Sequence, residues 1–384
     1  MLSKLEGRRE PWSRRQFISA LASVTAAGTL SGTLASRAKL VDAAESSLRD
    51  LAAQKGLIYG CSAAVDFVVP GLPKFDPAFA RLVAEQCGLL VPETALDWRY
   101  VEPSPGQFNF HQGELLASFA KAHNMKFGNG VLVWGVGMPE WFNSLSPGQA
   151  RQVMLNHVTQ TVSHYRGRVF SWEVVNEVKA WRGGRTGDLK DTPFLRLVGP
   201  DYIEASFRAA AAADPGALLV HNENHLEYDN PDDDYGRATL LKLLKGFIAK
   251  KVPIGAVGIQ SHLRTGNAPF SSAKLKDFLS AVADLGLKIM ISELDVGEPG
   301  PATQLADRDM AVARELDRYL GVVLQEKAVI AVITWGLSAR YTWLTAYAPR
   351  ADGQPLRPLP YDSDLRPTAA WQALATAFER APAR

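Results

Sequence analysis

Short runs of β-branched and aliphatic residues alternate with longer stretches of helical periodicity along nearly the whole chain. Leu57–Cys61, Cys87–Val91, Lys126–Trp134, Val169–Asn176, Ala217–Asn222, Gly255–Gln260, Leu287–Glu293 and Val329–Trp335 are continuous apolar runs, the pattern of strands covered on both faces. Between them Pro77–Glu85, Glu114–His123, Gly148–Tyr165, Asp201–Ala213, Ala238–Lys250, Ser272–Leu285 and Met310–Gln325 read as helices. Eight strands alternating with helices predict an α/β chain folded as a single-domain (β/α)8 barrel. An open doubly wound sheet is the competing arrangement, but no glycine-rich phosphate fingerprint follows the first strand.

The polar residues fall where a barrel would use them. Glu93, Asn176 and Glu177, Asn222, Gln260 and His262, Glu293, and Trp335 lie at or just past strand C-termini, the face on which barrel enzymes place their chemistry. The Pro- and Gly-rich segments Glu102–Gly106, Glu298–Pro301 and Ala348–Pro360 read as loops on that same face. Two strings stand out, Trp172 to Glu177 and Ile291 to Asp295, because each apolar run delivers a glutamate to the strand end. Glycoside hydrolysis needs two such carboxyl groups, one protonated to serve the leaving oxygen and one ionised to attack or stabilise the sugar cation.

Composition narrows the setting. A chain of 384 residues with 47% hydrophobic and 21% charged residues is an ordinary globular protein, and one barrel with insertions accounts for the length. Lys4, Arg8, Arg9, Arg14 and Arg15 precede a mildly apolar stretch from Phe17 to about Leu34, the layout of a signal peptide. Ser13 to Ile18 fits the twin-arginine signal, so residues 1–35 are expected to engage the bacterial twin-arginine export machinery, with cleavage near residues 35–44. The mature protein is then periplasmic or secreted.

Removing residues 1–35 takes away five basic and two acidic residues, moving the balance from 42 against 40 to 37 against 38. A near-neutral protein lacks the basic stripe that nucleic acid requires, and no later segment is apolar enough to span a bilayer. No metal-ligand cluster such as His-x-x-x-His occurs, and no cofactor is called for. Cys61 reads as the end of one strand and Cys87 as the start of the next, which places them at opposite ends of the sheet and leaves a disulfide open. A monomer is expected.

The motifs become specific when taken together. Val91-Pro92-Glu93, Glu102-Pro103 with Gly106-Gln107-Phe108, Leu132-Val133-Trp134 with Pro139-Glu140-Trp141, Trp172 to Glu177, Val257 to His262, Ile291 to Asp295, Trp335-Gly336 and Trp343 occur in one order. On these residues the chain resembles glycoside hydrolase family 10, the retaining endo-β-1,4-xylanases, with a catalytic domain over residues 45–380. The resemblance implies Glu177 as acid/base and Glu293 as nucleophile, their carboxyl groups ~5–5.5 Å apart. Repulsion at that distance is expected to raise one pKa, with Glu177 the group that keeps its proton. His262 would hydrogen-bond Glu293 while Asp295 fixes its tautomer, and Asn176 would donate to a sugar 2-hydroxyl. Glu93, Trp134, Gln260, Trp335 and Trp343 would line the substrate-binding cleft for a poly- or oligosaccharide.

The chain also departs from that family. Where the family reads Pro-Glu-Asn-x-x-Lys-Trp, this chain has Thr94 and Asp97; where it reads His-Thr-Leu-Val-Trp-His-x-Gln, Gly130, Gly135 and Gly137 stand in place of the two histidines and the glutamine. Ala339 replaces a usual Asp, and Asn222-Glu223-Asn224 replaces Asn-Asp-Tyr. The losses fall on sugar-hydroxyl contacts and spare the two catalytic glutamates. Gly135 and Gly137 are expected to open volume beside the sugar. Xylan is the substrate the resemblance implies; a β-glucan or bacterial exopolysaccharide, or a barrel that binds glycan without cleaving it, stays open.

Overall fold

The apolar runs become strands buried on both faces, most set one or two residues from their sequence-predicted bounds, while the seventh extends four residues further, to Gly297. They are β1 (Ile58–Ser62), β2 (Leu89–Val91), β3 (Lys126–Phe127), β4 (Gly130–Trp134), β5 (Ser171–Asn176), β6 (Leu218–Glu223), β7 (Ala256–Ile259), β8 (His262–Arg264), β9 (Lys288–Gly297) and β10 (Val329–Thr334). This is a computed structural model, describing residues 46–182, 188–266, 268–300 and 304–384; the expected export signal lies outside the described residues.

All strand pairs are parallel, in the order β3-β2-β1-β10-β9-β7-β6-β5-β4. The ring closes through the third strand. That strand is split: β3 pairs with β2, β4 pairs with β5, and Asn129 between them takes φ 61°. The unbroken Lys126–Trp134 strand expected from sequence is therefore corrected to two segments. A similar kink at Ser261, with φ 63°, divides β7 from β8. Counting each kinked strand once, the chain forms a (β/α)8 barrel.

Leu89, Val91, Val220, Ala256, Met290, Ala331 and Ile333 fill the barrel interior. Leu89 and Val91, like Ala331 and Ile333, are two residues apart, the spacing that sends side chains to one face of a strand. A second, larger core joins the outer strand faces to the helices. Helix starts carry their own oxygen caps, Asp76 before Pro77–Gln86, Asn230 before Pro231–Ala249 and Thr368 before Ala369–Arg380.

Cys61 and Cys87 are both free and buried. Contrary to the expectation of opposite sheet ends, their thiols interact directly, and burial together with Cys61 pushes the Cys87 thiol up. The reason is local: Cys87 ends the helix two residues before β2, and Gly88 N–H bonds to Tyr59 O, drawing that turn alongside β1.

Candidate active site

The two glutamates sit at the C-terminal mouth, joined by a chain of amides. Glu177 directly follows β5, and Glu293 lies within β9. Asn222 Nδ2 donates to Glu293 Oε1 at 2.8 Å and lies 3.3 Å from Asn176 Oδ1. Gln260 Nε2 is 3.2 Å from the same Asn176 oxygen and 3.1 Å from Glu177 Oε1. Asn222 is itself held by Ser292 Oγ, which donates to its Oδ1 at 2.6 Å. Only glycine fits below, since a Cβ on Gly258 would fall 2.1 Å from Asn222 Oδ1. Both neighbours bind the Oδ1 of Asn176 and leave its Nδ2 as the donor.

Behind Glu293 a second series recedes into the wall. His262 Nε2 lies 3.2 Å from Glu293 Oε2 and Nδ1 lies 2.9 Å from Asp295 Oδ1. Asp295 in turn accepts the Trp343 indole N–H at 2.7 Å. Burial works against a charged imidazole, but the flanking Asp295 and Glu293 carboxylates outweigh it and raise the His262 pKa well above the ordinary value. When protonated, the ring donates from both nitrogens, one to each carboxylate.

Glu177 has φ 54°, left-handed for a residue with a Cβ, and its N–H is tied to Asn222 O at 3.1 Å. Its surroundings overturn the expectation that it holds the resting proton. Burial pushes its pKa up, yet the Gln260 hydrogen bond, Lys190 and the Trp134 indole together hold it below the usual carboxylate value. Lys190 Nζ lies 3.2 Å from Glu177 Oε2. The raised carboxyl is Glu173, four residues earlier on the same strand. Burial, then the charges of Glu293, Glu177 and Asp97, drive its pKa far up, and Asn129 Nδ2 donates to it.

Lys190 and Glu173 were not among the residues expected to form the site, and Asn222 was expected at the mouth without an assigned role. Asn222 was legible as a polar strand end. Glu173 is hidden inside an apolar run, and Lys190 comes from a loop that only folding brings back to the strand end.

The outer cleft contains Glu93, Trp335 and Trp343, which line one pocket with Ser62, Phe67 and Tyr341. Burial raises the Glu93 pKa. Asp97 lies 2.8 Å from Arg99, and burial still pushes its pKa up to about 7. The volume expected beside Gly135 and Gly137 is absent. A Cβ on Gly135 would meet Thr192 Cγ2 at 3.1 Å, and one on Gly137 would meet Trp134 at 2.8 Å and Asp97 at 3.4 Å. Thr192, Trp134 and Asp97 occupy the space next to both glycines.

A (β/α)8 barrel with two glutamates at its C-terminal mouth, one backed by a histidine and an aspartate, defines a glycoside hydrolase fold and site. The family model for glycosyl hydrolase family 10 matches residues 47–377, and the chain belongs to that family. Endo-1,4-beta-xylanase A of Fusarium oxysporum f. sp. lycopersici is 32% identical over 272 residues, 69% of this chain and 80% of the relative. Endo-1,4-beta-xylanase 1 of Humicola insolens is 30% identical over 87% of this chain and 74% of its own. Xylanase 10B of Thermotoga petrophila, solved with xylobiose, superposes with a TM-score of 0.76 at 26% identity, over 87% of this chain and 97% of that one.

Proposed function

We propose that the protein is a retaining endo-1,4-β-xylanase in which Glu293 is the nucleophile and Glu177 the acid/base. The observation that carries the reading is the amide chain holding Glu177 and Glu293 at one barrel mouth, with His262 against Glu293. Glu293 attacks the anomeric carbon while Glu177 protonates the departing oxygen; water, deprotonated by Glu177, then releases the sugar from its ester to Glu293. His262, oriented by Asp295, hydrogen-bonds the nucleophile and holds it in place, and Asn176 donates to the 2-hydroxyl. Trp134, Trp335, Trp343, Gln260 and Glu93 bind the sugar chain.

The chain is a divergent family member, and Asp97 supports a second substrate reading. An acidic group paired to Arg99 stands where the family carries a lysine, which favours a glycan other than plain xylan, such as a β-glucan or bacterial exopolysaccharide. The test is to incubate the mature protein with xylan, β-1,4-glucan oligosaccharides and bacterial exopolysaccharide, following reducing ends and product anomers by NMR. Xylan cleaved to β-anomers is expected. Cleavage of another glycan alone would move the substrate assignment and keep the chemistry.

The Ser13 to Ile18 string before a mildly apolar stretch supports export of a folded domain through the twin-arginine route to the periplasm or beyond. Changing Arg14 and Arg15 to lysine is expected to retain the protein in the cytoplasm of a bacterial host, read by cell fractionation. Unchanged export would discard the route.

A further inference from the structure

Glu177 meets the cleft with both oxygens engaged. Oε1 accepts from Gln260 at 3.1 Å and Oε2 from the Lys190 ammonium at 3.2 Å. Lys190 is fixed from the backbone, on the returning arm of a hairpin in which Ala180 N–H bonds Asp188 O at 2.9 Å and Lys190 N–H bonds Val178 O at 2.7 Å. The pair is shielded yet open to the cleft, its side chains 31% and 18% exposed. The other groups facing Glu177 are Glu173 on its own strand, Trp134 at the end of β4, Gln260 after β7 and His225 beyond β6. Among the described residues, Lys190 is the ammonium or guanidinium that touches it.

A general acid must reach the scissile bond carrying a proton. An ammonium bonded to the carboxylate favours the charged form and occupies the oxygen that would receive that proton. A neutral sugar offers Lys190 no alternative counter-charge. A carboxylate on the first sugar of the leaving group does.

We propose that Lys190 is a specificity-determining residue selecting glycans that carry a carboxylate, as in a uronic acid substituent, on the leaving-group side. The uronate takes the ammonium, and Glu177 Oε2 is released to accept a proton from solvent and pass it to the glycosidic oxygen. The same hairpin provides a surface for such a sugar. Trp181 is 49% exposed, its ring 4.5 Å from that of His225, with Lys179 Nζ 5.5 Å from the indole. This assignment rests on Glu177 being the acid/base, so its test has one arm that needs no turnover.

In that arm, a neutral β-1,4-xylooligosaccharide and the same oligosaccharide bearing one uronic acid are titrated calorimetrically into the Glu293→Ala protein and into Glu293→Ala with Lys190→Met. The first is expected to prefer the acidic ligand by about 10-fold, as one charge-assisted contact gives, and the second to lose the preference. In the other arm, kcat/KM is followed against pH for wild type, Lys190→Met and Lys190→Arg. On the neutral substrate the alkaline limb of Lys190→Met is expected to move to higher pH, because Glu177 then keeps its proton longer; Lys190→Arg should stay near wild type. Equal binding of the two ligands by Glu293→Ala, or an alkaline limb unmoved in a stably folded Lys190→Met, would overturn the proposal. A binding preference without turnover of either oligosaccharide would support Lys190 while sinking the xylanase reading.

Discussion

Replacing Glu293 with alanine is expected to lower kcat on any glycan that the wild type cleaves by about 10⁵-fold, the scale on which loss of a nucleophile acting within a concerted unit is felt. The expectation follows from how Glu293 is held. Asn222 donates to one oxygen at 2.8 Å and His262 faces the other at 3.2 Å, so its position is fixed before substrate arrives. Alanine leaves that apparatus aimed at nothing. The measurement is turnover of xylan and of an aryl β-glycoside, with added azide as an external nucleophile. Azide should restore turnover by attacking the exposed anomeric carbon, giving an α-glycosyl azide. A Glu293→Ala enzyme retaining a tenth of wild-type activity would remove Glu293 from the reaction.

The second large effect concerns stability. Arg308 grips Glu298 through two bonds of 2.9 and 3.1 Å, both side chains being at most 7% exposed, and it also donates to Pro355 O at 2.6 Å. Glu298 further accepts Arg357 N–H at 2.6 Å, and Arg350 donates to Glu298 O at 3.0 Å. The segment 350–357 is thereby fastened to the end of β9. Arg308→Met leaves a buried carboxylate short of its main partner, a loss of about 3–5 kcal/mol for a broken buried pair. Arg350, 4.0 Å from Glu298 Oε1, places the expected value near the lower figure. At about 2 °C per kcal/mol for a chain of this size, calorimetry should show Tm falling by about 6 °C. A change under 1 °C would mean that Arg350 and Arg357 already satisfy Glu298.

The barrel was legible because its strands are buried on both faces and therefore read as unbroken apolar runs. What sequence could not show was where a run bends. Asn129 sits inside an apolar stretch, and its left-handed backbone joins two strand segments that pair with different neighbours. The extension of β9 to Gly297 was equally hidden, since its partner there is β8, a strand that exists only because the chain turns at Ser261.

The site was legible in its carboxylates and imidazole, which stand at strand ends in recognisable strings. Its charge state was not. Repulsion between Glu177 and Glu293 was the visible effect, whereas Glu177 is held low by Gln260 and by Lys190, 13 residues beyond it, and the raised carboxyl is Glu173, inside the strand core. The glycine substitutions misled for a related reason. Absent side chains suggested open space, but Thr192, Trp134 and Asp97 reach those positions from elsewhere in the fold.

Among the described residues, the side-chain hydrogen bonds that join Glu177 to Glu293 run through Gln260, Asn176 and Asn222. Side-chain amides hold groups firmly but neither take up nor release protons in the range where enzymes work. The acid and the nucleophile are thus braced against each other yet protonically insulated. A proton gained by Glu177 has no relay along this brace to Glu293, so the acid/base is recharged from the cleft without passing through the nucleophile.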